Sequence, residues 1–120
     1  MKTIKSTDST RIIIVDEPGQ GGACHKYDIE REGAADPGSA QDTFASIRFQ
    51  DGPVKEHGVN GCHQEDLILI VIDRLQSFQA GAYRCRENAL ALTKLEEALH
   101  WLYHRTQDRE SRGVEGINNI

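Results

Sequence analysis

The chain has 120 residues and a mass of 13.4 kDa, which suits one domain, or one small domain with an appendage. Hydrophobic residues make up 38%, charged residues 28%, and the net charge is −5, a balance that excludes a disordered composition and disfavours sequence-independent nucleic-acid binding, which needs a basic surface. Nothing approaches the run of about 18 apolar residues that a membrane span needs, and the N-terminus lacks a signal-peptide core, so the sequence predicts a soluble, non-exported protein with no membrane partner.

Residues 1–10 are polar and read as a loose start. Ile12-Ile13-Ile14-Val15, β-branched throughout, predicts a strand over 11–17. Pro18-Gly19-Gln20-Gly21-Gly22 is a turn signal, and Cys24, Tyr27 and Ile29 among polar residues predict a second strand over 23–32. A small, polar stretch (33–42) reads as a longer loop. Residues 44–50 alternate as a third strand, which Asp51-Gly52-Pro53 ends. Residues 54–61 form a connector. Beyond it, Leu67, Val71, Leu75 and Phe78 recur at helical spacing, with Glu65 and Asp66 in the first turn and Gly81 as the stop. A second helix is expected to begin between residues 83 and 86. Its stripe is Ala89, Leu92, Leu95, Leu99 and Leu102, and Gly113 and Gly116 mark its end.

The expected fold is therefore α+β: a small N-terminal antiparallel three-stranded sheet (1–53), then a connector and C-terminal two-helix hairpin (54–120). Both helices are apolar around more than half their circumference, more than one hairpin covers, which predicts a homo-oligomer.

The cysteines, Cys24, Cys62 and Cys85, are odd in number and form no C-x-x-C, which fits free thiols in a reducing cytoplasm. Cys24-His25 and Cys62-His63 could in principle supply four zinc ligands, yet adjacent residues rarely turn both side chains to one ion, so no metal is expected. Gly19-Gln20-Gly21-Gly22 lacks the Lys-Ser/Thr and helix of a phosphate loop. His100 and His104 are spaced as zinc ligands but have no third partner, and Glu96-Glu97 has no nucleophile to serve. No catalytic set is identifiable, and no cofactor is implied. Arg105, Arg109 and Arg112 share one helix face, either a solvated terminus or a phosphate-binding row. Phe78 continues the apolar stripe and reads as core; Asn88, in the first turn of the second helix, reads as a satisfier of backbone groups.

The runs Gly52-Pro53-Val54-Lys55-Glu56-His57-Gly58-Val59-Asn60-Gly61, Ile70-Val71-Ile72-Asp73-Arg74-Leu75, Phe78-Gln79, Cys85-Arg86-Glu87-Asn88-Ala89, Leu95-Glu96-Glu97-Ala98-Leu99 and Arg112-Gly113-Val114-Glu115-Gly116 closely resemble the phage Thoeris anti-defence protein family of the first type, over about residues 49–116. That family shares a helical hairpin with a phage anti-CBASS sponge family. The resemblance implies a non-enzymatic sponge, a hexamer in the cytoplasm of the infected bacterium, that sequesters a cyclic ADP-ribose-type signal, glycocyclic ADP-ribose. Some members also hold cyclic di- or trinucleotides at a separate site. Carried over by position, Phe78 stacks on the base, Asn88 reads polar groups, and Arg105 and Arg109 take the phosphates; Arg112, Gly58 and Asn60 are the candidates for the second site. Two alternatives stand beside it: an enzyme that cleaves the signal, with His100, His104 or Glu97 as acid–base groups, and an interaction hairpin without a small ligand.

Overall fold

β-branched residues crowd the first part of the chain, and there the backbone pairs into a sheet. The computed structural model describes residues 2–36 and 38–111. The chain forms two units, Met1–Cys62 and His63–Ile120. In the first, strands β1 (Lys2–Lys5), β2 (Thr10–Ile14), β3 (Lys26–Arg31) and β4 (Thr43–Arg48) make an antiparallel meander in the order β1-β2-β3-β4.

The sheet thus has four strands where three are expected. The addition is β1, inside the stretch that reads as loose. Its one apolar residue, Ile4, is exposed, so no alternation marks it. It is a strand because its backbone pairs with β2, Thr3 with Ile13 and Ile4 with Ile12. The Thr7 hydroxyl reverses the chain between them, accepting the N–H groups of Ser9 at 3.1 Å and Thr10 at 3.0 Å.

The register puts Ile12 opposite Ile29 and Ile14 opposite Tyr27, then Tyr27 opposite Ile47, so these side chains share one apolar face. On the other face Arg11 lies opposite Glu30, whose carboxylate is buried and accepts from the Arg11 guanidinium at 3.3 Å and from the Gly38 N–H at 2.7 Å. The glycine-rich stretch after β2 lies in the connection between the antiparallel neighbours β2 and β3, where its turn signal predicts. It is closed by the Asp16 carboxylate, which accepts from the backbone N–H groups of His25 at 3.0 Å and Lys26 at 3.1 Å.

After β4, Cys62 forms a parallel bridge with Phe49, donating its N–H to the Arg48 carbonyl at 2.8 Å. Gly61 permits this approach, since a Cβ there would meet the Phe49 carbonyl carbon at 2.5 Å. The connector contains one helical turn, α1 (Val54–His57).

The second unit is a hairpin of α2 (Gln64–Gln79) and α3 (Arg86–Ser111). Asp66 anchors the start of α2, its carboxylate accepting the His63 N–H at 2.9 Å. Ile72 is buried, and Ile68 and Leu75 beside it are half-buried, as are Leu92, Leu95, Leu99 and Leu102 of α3. This corrects two members of the expected stripes: Val71 and Ala89 are exposed. Residues 67–72 are apolar without interruption, so spacing alone does not choose which side faces α3.

Gly81 does not adopt the left-handed conformation of a helix-ending glycine. α2 ends at Gln79, and the Gln79 amide closes the turn instead, donating to the Cys85 carbonyl at 3.1 Å and accepting the Cys85 N–H at 2.9 Å. The expected stop at Gly113 and Gly116, and Arg112 with them, lies outside the described residues.

Candidate functional site

The end of α2, the turn and the first turn of α3 bring a cluster of aromatic, amide and cationic groups together. Phe78 is half-buried, with the Tyr83 ring edge-on at 6.1 Å between centroids and 79° between planes. Arg74, one helical turn earlier, sets its guanidinium carbon 4.8 Å from the Phe78 centroid. Asn88, also half-buried, donates its side-chain amide to the Tyr83 carbonyl at 3.4 Å. Two residues expected at one site, Phe78 and Asn88, are therefore joined through Tyr83.

Arg105 and Arg109 are elsewhere. They lie 17 and 21 residues beyond Asn88 on the same helix, about 26 and 32 Å along its axis at 1.5 Å per residue. α3 has 26 residues against 16 for α2, so its last turns run past the length that α2 covers, and both arginines sit on that extension. Arg105 is exposed and Arg109 half-buried. One chain does not unite the four residues.

Asn60 is spent on the backbone of its own connector. Its side chain accepts the Asp51 N–H and donates to the Asp51 carbonyl, both at 2.8 Å. Gly58 ends α1 in the left-handed region at φ 70, and its carbonyl accepts from Gln50 at 2.8 Å. A cavity of about 210 Å³ lies beside them, lined by His25, Lys26, Arg48, Phe49, Asp51 and Asn60. The His25 imidazole is buried there, with Nδ1 unpartnered and Nε2 3.9 Å from the Asp51 carboxylate.

Near this cavity one titration is displaced. Desolvation alone would raise the Asp16 pKa, but the backbone N–H groups of His25 and Lys26 and the His25 imidazole outweigh it and hold the carboxyl below its ordinary value.

His100 and His104 each turn an edge to Trp101, at 5.7 and 5.8 Å between centroids, and Thr93, Glu96, Glu97, His100 and Trp101 line an open groove of about 470 Å³. Among the described residues no three His, Cys, Asp or Glu side chains converge as metal ligands. Cys24 instead donates its thiol to the Asp16 carbonyl at 3.5 Å. Sequence reasoning did not single out Arg74 or Tyr83. The i,i+4 spacing of Arg74 and Phe78 was the available signal for the first.

The candidate cluster falls in the part of the chain that matches known proteins. Residues 41–107 match the family model described as Acb2/Tad1, hairpin domain. Over 75 residues, 62% of the chain, the sequence is 64% identical to a protein of Bacillus phage SBSphiJ7 named Thoeris anti-defense 1. The aligned stretch spans 53% of that relative, about half its length. Phe78, Asn88 and Arg105 lie inside the matched range and Arg109 two residues past it. With more than half its length on the model, from before β4 through most of α3, the chain belongs to the Acb2/Tad1 hairpin-domain family.

Proposed function

We propose that this protein is a phage anti-defence sponge directed against Thoeris: it binds a cyclic ADP-ribose-type signal, glycocyclic ADP-ribose, in the host cytoplasm and withholds it from the effector without cleaving it. The anti-Thoeris reading is supported by the name of the 64% identical phage relative. The observation that carries the ligand reading is the cluster of Phe78, Tyr83 and Asn88 at the hairpin turn, an aromatic surface beside an amide held at a fixed place. Such a pair suits a purine and its polar edge.

The phosphates need positive charge, and Arg105 and Arg109 lie too far along α3 to supply it in the same chain. The site is therefore completed between copies, Arg105 and Arg109 of one facing Phe78 and Asn88 of another. Self-association is supported by the apolar surface the hairpin leaves uncovered, with Ile70 65% and Trp101 66% exposed. A hexamer is the assembly the resemblance implies. A second site for cyclic di- or trinucleotides near Gly58 draws no support from Asn60, whose amide is already engaged.

The test is to incubate the protein with the signal, wash it, denature it by heat and analyse what is released. Intact signal is expected. A cleaved product would favour catalysis, with His100, His104 or Glu97 as its acid–base groups, and an empty wash would favour an interaction hairpin. Light scattering at micromolar concentration should give a multiple of 13.4 kDa, and a mass at that value would remove the shared site.

A further inference from the structure

We infer that Arg74 contacts the ligand, placing one phosphate-binding cation at the hairpin turn itself. This rests on the ligand reading above and adds a residue to it. A signal whose base sits at Phe78 and Asn88 has its phosphates within a few ångströms of them, because base and phosphate are joined through one sugar. Arg74 is a cation that the same hairpin sets against Phe78, at 4.8 Å from the ring centroid, whereas Arg105 lies about 26 Å from Asn88 along the helix.

Three features fit Arg74 for contact rather than for structure alone. It is exposed, and among the described residues it makes no ion pair, so no carboxylate competes for it. The attraction of a guanidinium to an aromatic ring consumes none of its five N–H donors, whose fork matches the oxygens of a phosphate. Finally, Tyr83 is 76% exposed and stands edge-on to Phe78, and its carbonyl holds Asn88, so the aromatic, amide and cationic groups are placed by one short stretch of chain. The hairpin turn carries a nucleotide subsite with its own charge, and Arg105 and Arg109 of another copy add to that charge.

The experiment measures binding of glycocyclic ADP-ribose by calorimetry at several salt concentrations, for wild type, Arg74→Gln and Arg74→Lys, with circular dichroism to confirm folding. Wild-type binding tests the ligand reading itself, so its absence would remove both proposals. Given wild-type binding, Arg74→Gln should bind at least tenfold more weakly and with a shallower salt dependence, and Arg74→Lys should restore most of both. Unchanged affinity in Arg74→Gln would overturn the inference, leaving an ordinary intrahelical contact. Weakened affinity with the wild-type salt dependence would also overturn it, since Arg74 would then only hold the Phe78 ring.

Discussion

The most buried side chain of the sheet unit is a carboxylate, Glu30, 1% exposed, and that of the hairpin is an aliphatic group, Ile72, 7% exposed. A buried charge is tolerable only where its partners are fixed, and Glu30 has them in the Arg11 guanidinium across the strands and the Gly38 N–H above. Asp42 repeats the arrangement, accepting from Arg31 at 2.8 Å and from Ser39 at 3.4 Å. The sheet unit is thus specified by particular polar pairs that few substitutions would respect. The hairpin is specified by a repeating aliphatic seam, which needs only size and spacing. That economy leaves its outer faces free to vary, and the candidate site lies on the hairpin.

Four substitutions probe this contrast. Glu30→Ala removes the buried partner of Arg11, leaving it Glu32 at 4.0 Å, and should destabilise the sheet unit by about 3 kcal/mol, the low end for breaking a buried pair, read as a lower urea midpoint; a shift under about 1 kcal/mol would mean that the pair is not what fixes the strands. Ile72→Ala should cost about 2–3 kcal/mol, the low end for a large-to-small change because its neighbours are only half-buried. Arg109→Ala, on the extension of α3, should leave the helical signal intact and weaken signal binding about tenfold, or about 1.4 kcal/mol. Wild-type affinity in a folded Arg109→Ala oligomer would remove this residue from the site.

The smallest effect is expected at Asp16. Its folded pKa lies below the unfolded value of 3.8, so the stabilisation it gives is fully present above 3.8 and is lost as pH falls through the folded pKa. Asp16→Asn should therefore lower stability by a constant amount at neutral pH, with the difference from wild type closing only below about pH 4. A difference that instead widened on acidification would reverse the sign and the account.

The helices and β2 were legible from their apolar runs, and β3 and β4 from apolar residues spaced among polar ones between turn signals. β1 was not, since an edge strand with a single isoleucine is held by backbone pairing that leaves no pattern in side chains. The face of α2 was illegible for the opposite reason: six consecutive apolar residues at 67–72 satisfy every helical phase at once, and only the packing against α3 selects Ile68, Ile72 and Leu75. Phe78 and Asn88, assigned by resemblance, both meet Tyr83 at the hairpin turn. Their separation from Arg105 and Arg109 follows from helix length, which sequence spacing states in residues but which becomes a distance only once both helices are known to be continuous. Tyr83 was hidden in the turn, where no periodicity operates.

The unequal lengths of the two helices bear on exchange kinetics. Amides near Leu92 and Leu95 have α2 alongside them, whereas those from about residue 104 onward lie beyond its reach and depend on intrahelical bonding and on whatever else lies against that segment. Deuterium uptake along α3 should therefore be graded, slow beside α2 and faster toward Ser111. The steepness of that gradient is a local meter of assembly: a neighbouring copy seated on the extension flattens it, and added signal that bridges the two copies flattens it further, with no label placed on either ligand or protein.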